Sequence, residues 1–377
     1  MPKIFISAGE LSGDMHAGLV ISEIIRRRPD INISAIGGDN MANAGAKLLF
    51  HIRDTSFMGF TEVVKHLPFI LNLFRQTVRH LRETQPDLVV LVDYPGFNLK
   101  LAKAAAKLGI PVVYYISPTV WAWHQSRVKI IRKYTKQVLC ILPFEEDWYR
   151  AHHVSAKFVG HPLLDRIKIS TEPIINETEP YNITDPIRIN LFPGSRKQEV
   201  ERLLPTMIDA VRQLRQIYPN LIASVSVAPQ IQSQPLRERF PDDQIEWISG
   251  KNEELMRNAD VLIITSGTAT LEATFFGTPM VVVYKMSPLN YRLGKLLVHV
   301  WSITIANLVA GKRIIQELVQ AEASPQKIAI EVHRLLADID YRNAMRHSLQ
   351  EVSERMGKPG ASAQAAEAIL SFLPNSR

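Results

Sequence analysis

Short apolar runs alternate with longer amphipathic stretches from one end of the chain to the other. Residues 4–8 read as a strand and 15–28 as the helix that follows it. Further strands fall at 33–36, 88–92, 112–116 and 138–142, the second of them after the breaker Pro86. From 165 to 186 the period is lost, and Thr171, Glu172, Pro173, Asn176, Pro180, Asn182 and Pro186 mark a linker, set at 169–186. The pattern then restarts with a strand at 187–192 and a helix at 199–218. Strands at 221–227, 245–248, 261–264 and 280–284 follow, then a helix at 326–337 and an Ala-rich one at 361–372. This alternation predicts an α/β fold with parallel sheets. Two α/β units, 1–168 and 187–345, would face each other across a cleft, with the site at the carboxyl ends of their strands. The tail, 346–377, can pack back on the first unit or swap with a neighbouring chain.

A length of 377 residues exceeds what one core usually supports, which agrees with two units. Apolar residues at 46% and charged residues at 21% exclude a disordered chain. The single cysteine, Cys140, excludes an intrachain disulfide and, between Val138-Leu139 and Ile141-Leu142, reads as core in a reducing setting. Residues 1–3 lead straight into an apolar strand with no signal-peptide order, so export is not expected. The longest apolar candidate, 296–311, contains His299, Ser302, Thr304 and Asn307 and does not read as a spanning helix. The formal charge of +7 suits an anionic partner. No basic patch interleaved with aromatics stands out, which favours a small anion or lipid over nucleic acid.

Five segments carry candidate chemistry. Gly9-Glu10-Leu11-Ser12-Gly13-Asp14 sits between the first strand and the first helix, where glycines and a helix N-terminus can meet an anion. Alternatively Asp14 caps or charge-stabilises that helix. It matches neither the dinucleotide fingerprint nor the P-loop. Asp93 opens Asp93-Tyr94-Pro95-Gly96-Phe97-Asn98 at the end of an apolar strand. There it can act as general base toward a hydroxyl or simply turn the chain before Pro95. Ser117-Pro118-Thr119-Val120-Trp121-Ala122-Trp123-His124 concentrates two tryptophans that on packing grounds belong to the core, beside a histidine able to carry a proton. Phe192-Pro193-Gly194-Ser195-Arg196 offers backbone N–H groups, a hydroxyl and a guanidinium fork to a diphosphate. Thr265-Ser266-Gly267-Thr268-Ala269-Thr270-Leu271-Glu272 is a second cradle, with Glu272 placed to accept from ribose hydroxyls. Leu271 does not complete a capping box from Thr268.

Taken in order, the motifs GELSGD, MGFTEV, VDYPGFN, SPTVWAW, LPFE, VGHPLLD, PGSR, SGTATLE and NLVAG run from residue 9 to 311. The series resembles the lipid-A-disaccharide synthases, and PGSR and SGTATLE also echo other nucleotide-sugar transferases of the two-Rossmann (GT-B) type. The resemblance implies an inverting, metal-independent transfer without a cofactor. It joins 2,3-diacylglucosamine from its UDP derivative to the 6-hydroxyl of 2,3-diacylglucosamine-1-phosphate, giving a β-1,6 disaccharide. It puts the catalytic base on Asp93 and substrate or UDP contacts on Ser12, Arg196, Ser266, Glu272 and Asn307. The glycine turns and helix starts around these add Gly13, Ser195, Gly267 and Thr268 as candidate contacts. Two positions depart from it. Gly96 replaces an acidic residue of many relatives, and Ile305-Ala306 stand where relatives often carry Leu-Pro.

Acylated substrates imply contact with the inner bilayer face from the cytoplasm, with no nucleic acid involved and the oligomeric state open. Over 63–82, apolar residues at 67, 70, 71, 74, 78 and 81 form a helical stripe. Phe69 and Leu73 extend it beside Lys65, His66, Arg75, Arg79 and Arg82. Such a basic amphipathic helix can lie in an anionic interface, helped by residues 291–301, or it can be a core helix with solvated flanks. The rival readings are another UDP-sugar GT-B transferase, a sugar-nucleotide 2-epimerase and a non-catalytic UDP or lipid binder. A nicotinamide oxidoreductase is disfavoured by the missing glycine fingerprint.

Overall fold

The structure is a computed structural model that describes residues 1–54, 67–167, 179, 181–182, 185–241, 244–297 and 300–374. The MGFTEV motif, Lys65, His66, His299 and most of the expected linker lie outside these residues. The chain divides into two compact units, Met1–Arg166 with Met356–Arg377, and Ile167–Arg355.

In unit 1 the strands are β1 (Lys3–Ala8), β2 (Asn32–Gly37), β3 (Lys47–His51), β4 (Leu88–Val92), β5 (Val112–Tyr115), β6 (Gln137–Cys140) and β7 (Ala156–Phe158). They form a parallel sheet in the order β3-β2-β1-β4-β5-β6-β7. The helices are α1 (Leu11–Arg27), α2 (Asp39–Asn43), α3 (Leu67–Thr84), α4 (Pro95–Lys107), α5 (Val128–Tyr134) and α6 (Pro143–Ala151). The central strands are apolar throughout because both faces of the sheet are covered, and β4 (LVVLV) is buried at every position. One face packs under α1, the other under the helices that cross from β4 to β6. Strand order reverses between β1 and β4, so the crevice of this sheet opens beyond Ala8 and Val92.

Unit 2 repeats the plan with β8 (Arg188–Phe192), β9 (Ile222–Val227), β10 (Ile245–Ser249), β11 (Val261–Thr265), β12 (Met280–Tyr284) and β13 (Gln316–Val319). Their order is β10-β9-β8-β11-β12-β13, again parallel, with the reversal between β8 and β11. Its helices are α7 (Lys197–Arg215), α8 (Gln234–Arg239), α9 (Asn252–Arg257), α10 (Thr268–Phe275), α11 (Pro288–Leu297), α12 (Ile305–Ala310), α13 (Pro325–Ala337) and α14 (Ile339–Arg355).

The last helix, α15 (Ala361–Leu370), belongs to unit 1, where Ala365, Ala366 and Ile369 enter the core beneath α1. Its N-terminus is held by Asp165 of the VGHPLLD motif. That carboxylate accepts from the backbone N–H of Gly360 (2.6 Å), Ala361 (3.0 Å) and Ser362 (2.8 Å). These are donors that the helix itself cannot satisfy. Small alanines on the inward face let α15 approach α1 closely.

Among the described residues no helix is long and apolar enough to cross a membrane. On α3 the inward face runs through Leu73, Thr77 and Leu81, all buried, with Phe74 and Val78 partly so. Leu73, expected at a membrane, is 5% exposed and sits in the core with Phe5 and Leu81. The inward stripe is rotated from the one read off the sequence, since Leu73 and Thr77 are buried while Leu71 is exposed. The Thr77 hydroxyl is satisfied by donating to the Leu73 carbonyl (2.8 Å). Phe69 and Leu71 are exposed, as are Arg75, Arg79 and Arg82.

Candidate functional site

Unit 1 presents its chemistry at the strand reversal. The first glycine motif is not a loop before the helix, since α1 begins at Leu11 and Ser12, Gly13 and Asp14 occupy its first turn. Ser12 is exposed, whereas Gly13 is buried against Ala8 and Val92, where a Cβ would lie 3.4 Å from the Ala8 Cβ. Asp14 does not cap α1. Its carboxylate is fully buried and accepts from the backbone N–H of Gly38 (2.6 Å), Asn40 (3.1 Å) and Met41 (3.1 Å), which ties α1 to the start of α2. Gly9 is required by VDYPGFN, because the Tyr94 ring lies where its Cβ would be, 2.2 Å from the nearest ring atom.

Asp93 follows β4 directly and is largely buried. It and Tyr94 both take left-handed backbone angles, φ +45° and +50°, which few non-glycine residues adopt. Burial, with the Glu10 carboxylate adding repulsion, raises the Asp93 carboxyl from its ordinary 3.8 to about 6, against a smaller opposing effect of the Tyr94 N–H. A carboxylate so tuned is a competent base near neutral pH.

The tryptophan motif divides. Trp121 is half-buried and packs edge-on to Phe144 (4.9 Å), and its indole N–H donates to Glu145 Oε1 (3.0 Å). Trp123 is 39% exposed rather than core, with the Arg127 guanidinium 5.5 Å from its ring centre. Glu145, of the LPFE motif, also accepts from the backbone N–H of Ile141 and Leu142. Burial raises its carboxyl to about 7 despite these donors. It therefore fastens the SPTVWAW loop to the start of α6.

Unit 2 holds a cavity of about 400 Å³ at the carboxyl ends of β8, β9 and β11. Ser195, Arg196, Ser266, Gly267, Thr268 and Glu272, all expected from the sequence, line it together. The N-termini of α7 and α10 open onto it through Arg196 and Thr268, so two positive dipole ends face the space. Gly194, φ +113°, cannot be replaced cheaply, because L side chains rarely adopt that backbone conformation and a Cβ there would also lie 3.0 Å from the Glu199 Cβ. The Glu199 carboxylate pairs with Arg196 (3.3 Å), a partner for the arginine that the sequence did not suggest. Thr265 lines the same cavity, its hydroxyl buried and without a hydrogen-bond partner.

Asn307 is not at this cavity. It is completely buried, and its amide oxygen accepts from the N–H of Ile314 and Ile315 while its NH₂ donates to Ile315 O and Glu317 Oε1. Glu317, which no motif singled out, also accepts from the Ser302 and Thr304 hydroxyls and from the N–H of Ile303. Ile303 in turn accepts the Ser266 hydroxyl at its carbonyl (2.9 Å). Asn307 and Glu317 thus set the loop that orients Ser266. Asn252 at the start of α9, Ser226 near the end of β9 and Gln230 in the turn after it also line the cavity and were likewise missed, each being an ordinary polar residue. Among the described residues no cluster of His, Cys, Asp or Glu could hold a metal ion.

Comparison with known proteins agrees with this geometry. The family described as Lipid-A-disaccharide synthetase matches residues 4–372. The lipid-A-disaccharide synthase of Myxococcus xanthus is 39% identical over 100% of this chain and 99% of its own. That of Trichlorobacter lovleyi is 40% identical over 99% and 98%. Among solved structures, a UDP-GlcNAc 2-epimerase from Neisseria meningitidis bound to UDP-GlcNAc superposes with a TM-score of 0.65 at 13% identity, covering 98% of this chain and 100% of that one. The glycotransferase of kitacinnamycin superposes with a TM-score of 0.63 at 15% identity, covering 99% and 100%. At such identities these two share the fold, which is of GT-B type, and nothing finer.

Proposed function

The chain belongs to the Lipid-A-disaccharide synthetase family, and from that membership we propose how its residues divide the work of the transfer. It is a glycosyltransferase whose substrates are a UDP-sugar and a lipid. The donor is UDP-2,3-diacylglucosamine and the acceptor 2,3-diacylglucosamine-1-phosphate. The observation that carries the reading is the largely buried carboxyl of Asp93, raised to about 6 at the strand reversal of unit 1. As the acceptor 6-hydroxyl oxygen attacks the anomeric carbon, Asp93 takes its proton. The bond to UDP breaks on the opposite face, UDP leaves with the electron pair, and the anomeric centre inverts to a β-1,6 link.

The leaving diphosphate gathers negative charge, and unit 2 supports it. Arg196, the N–H groups at the start of α10 and the hydroxyls of Ser195, Ser266, Thr268 and Thr265 surround the place where it would sit. Binding there would draw Arg196 from Glu199 toward the phosphates, a short movement for an exposed side chain. Glu272 accepts from the ribose hydroxyls. On the acceptor side, Ser12 and the backbone at Gly13 offer donors at the N-terminus of α1. The protein works at the inner membrane surface from the cytoplasm, resting on the α3 face that carries Phe69, Leu71, Arg75, Arg79 and Arg82.

The test is incubation with both substrates in detergent without added metal, beside Asp93→Asn. UDP release and a phosphorylated disaccharide, with turnover reduced about 10²–10⁴-fold in the variant, are expected. UDP binding without disaccharide would point to another acceptor or to a non-catalytic binder.

A further inference from the structure

We propose that Tyr114 and Asn98 are positioning residues for Asp93, clamping its main-chain carbonyl so that the carboxyl is held where it can meet the acceptor hydroxyl. The inference rests on Asp93 being the base. Two successive non-glycine residues with positive φ, Asp93 and Tyr94, do not stay in that conformation unaided. The carbonyl of Asp93 receives two donors from different elements. The Tyr114 hydroxyl, at the end of β5, donates at 2.7 Å, and Asn98 Nδ2, in the first turn of α4, donates at 2.8 Å.

Asn98 is itself immobilised. It is completely buried, its Nδ2 also reaches the carbonyls of Val92 (3.1 Å) and Ser7 (3.2 Å), and its Oδ1 accepts from the Ser7 hydroxyl (2.8 Å). The Asp93 N–H is occupied as well, donating to the carbonyl of Ile116 at 3.1 Å. Strands β1, β4 and β5 and helix α4 therefore brace the two peptide groups that flank the Asp93 Cα, and they fix the direction in which its Cβ leaves the chain. Tyr114 is fully buried and its phenol is held far above its ordinary ionisation range by burial and the nearby Asp93 charge. It remains a neutral donor throughout. Its hydroxyl is spent on a backbone oxygen, so it acts through Asp93 and does not touch substrate.

Losing the Tyr114 donor lets the 93–94 peptide relax toward the ordinary region. The carboxyl then swings out of line and gains water. A displacement of about an ångström in a reacting group is worth on the order of tenfold to a hundredfold in rate.

The experiment compares Tyr114→Phe with wild type in the disaccharide assay, with Asp93→Asn beside them and pH varied from 5 to 9. The ring is kept and Asn98 still serves the carbonyl, so the variant keeps its core packing. The expected result is a kcat roughly tenfold lower with KM for both substrates within about twofold. The acid limb of the kcat profile should move to lower pH as the carboxyl becomes wetter. Unchanged kcat would overturn the proposal, as would a loss confined to KM, or a kcat loss that merely follows the fraction of folded protein with the acid limb in place. Asn98→Leu, close in size and without a donor, should reproduce the rate loss, and full activity there would also overturn it. If Asp93→Asn retains turnover, the base assignment itself fails. If only that variant is inactive and Tyr114→Phe is fully active, the base stands and the clamp does not.

Discussion

Replacing Asp93 by Asn should make the protein less active and more stable, and the two effects should separate with pH. The folded state holds the Asp93 carboxyl at about 6 against an ordinary 3.8, chiefly because the charged form is poorly solvated there. An acid raised in this way favours folding while it is protonated. Wild type is therefore most stable, in this respect, below 3.8, and loses that stability as pH rises through 3.8 toward 6. Above about 6 the penalty is constant, and the difference between 3.8 and 6 corresponds to ~3 kcal/mol.

Asn keeps the shape and cannot ionise, so the Asp93→Asn variant escapes the penalty. It should exceed wild type by up to ~3 kcal/mol at pH 8 and by about half that at pH 5, while turnover falls about 10²–10⁴-fold. Urea unfolding at pH 5, 6.5 and 8, with the transition of unit 1 followed separately from that of unit 2, measures the first. UDP release measures the second. Equal stability of the two proteins at every pH, or a less stable variant at pH 8, would refute the claim that burial tunes this carboxyl.

Other consequences follow from the same structure. Removing the Asp165 carboxylate with Asp165→Ala leaves three N–H groups of α15 unmet, which should cost about 2–3 kcal/mol and speed amide exchange across 360–370. Unaltered exchange there would contradict the anchoring role. Glu317→Ala should weaken UDP binding roughly tenfold by calorimetry through the loop that carries Ile303 and orients Ser266, with Glu317→Gln restoring part of it. UDP affinity equal to wild type would detach Glu317 from the cavity. Phe69→Ser with Leu71→Ser should reduce co-sedimentation with anionic vesicles about tenfold, and raising the salt should weaken the wild type as well. Binding that survives both treatments would remove α3 from the membrane contact.

Periodicity revealed the central strands because parallel strands covered on both faces must be apolar at every position, as β4 and β11 are. It missed β3, β7 and β13, which are all edge strands, with polar residues such as Lys157 and Gln316 in them. Such strands are defined by the partner they pair with, and that partner lies far away in sequence. The cradle residues of unit 2 were legible for a local reason. A strand, a glycine turn and a helix N-terminus are consecutive, so Ser195-Arg196 and Ser266-Gly267-Thr268 announce themselves.

Asp93 was legible in the same way, as a carboxylate at the end of an apolar strand. Its ionisation was not, because burial and the Glu10 charge come from other parts of the chain. Leu73 and Phe69 look alike in the sequence, yet one is core and the other exposed, since the facing of a helix is chosen by what it packs on. Asn307, read from its motif as a substrate or UDP contact, is buried as a brace within the fold. Asp14, read as capping or charge-stabilising α1, does place its charge in the first turn of that helix, and its carboxylate also braces the start of α2. By itself the sequence determined the chemistry available and the order of elements. Tertiary structure decided which polar groups face a ligand and which are consumed in holding the others still, because each buried donor and acceptor must find a partner that the local sequence does not contain.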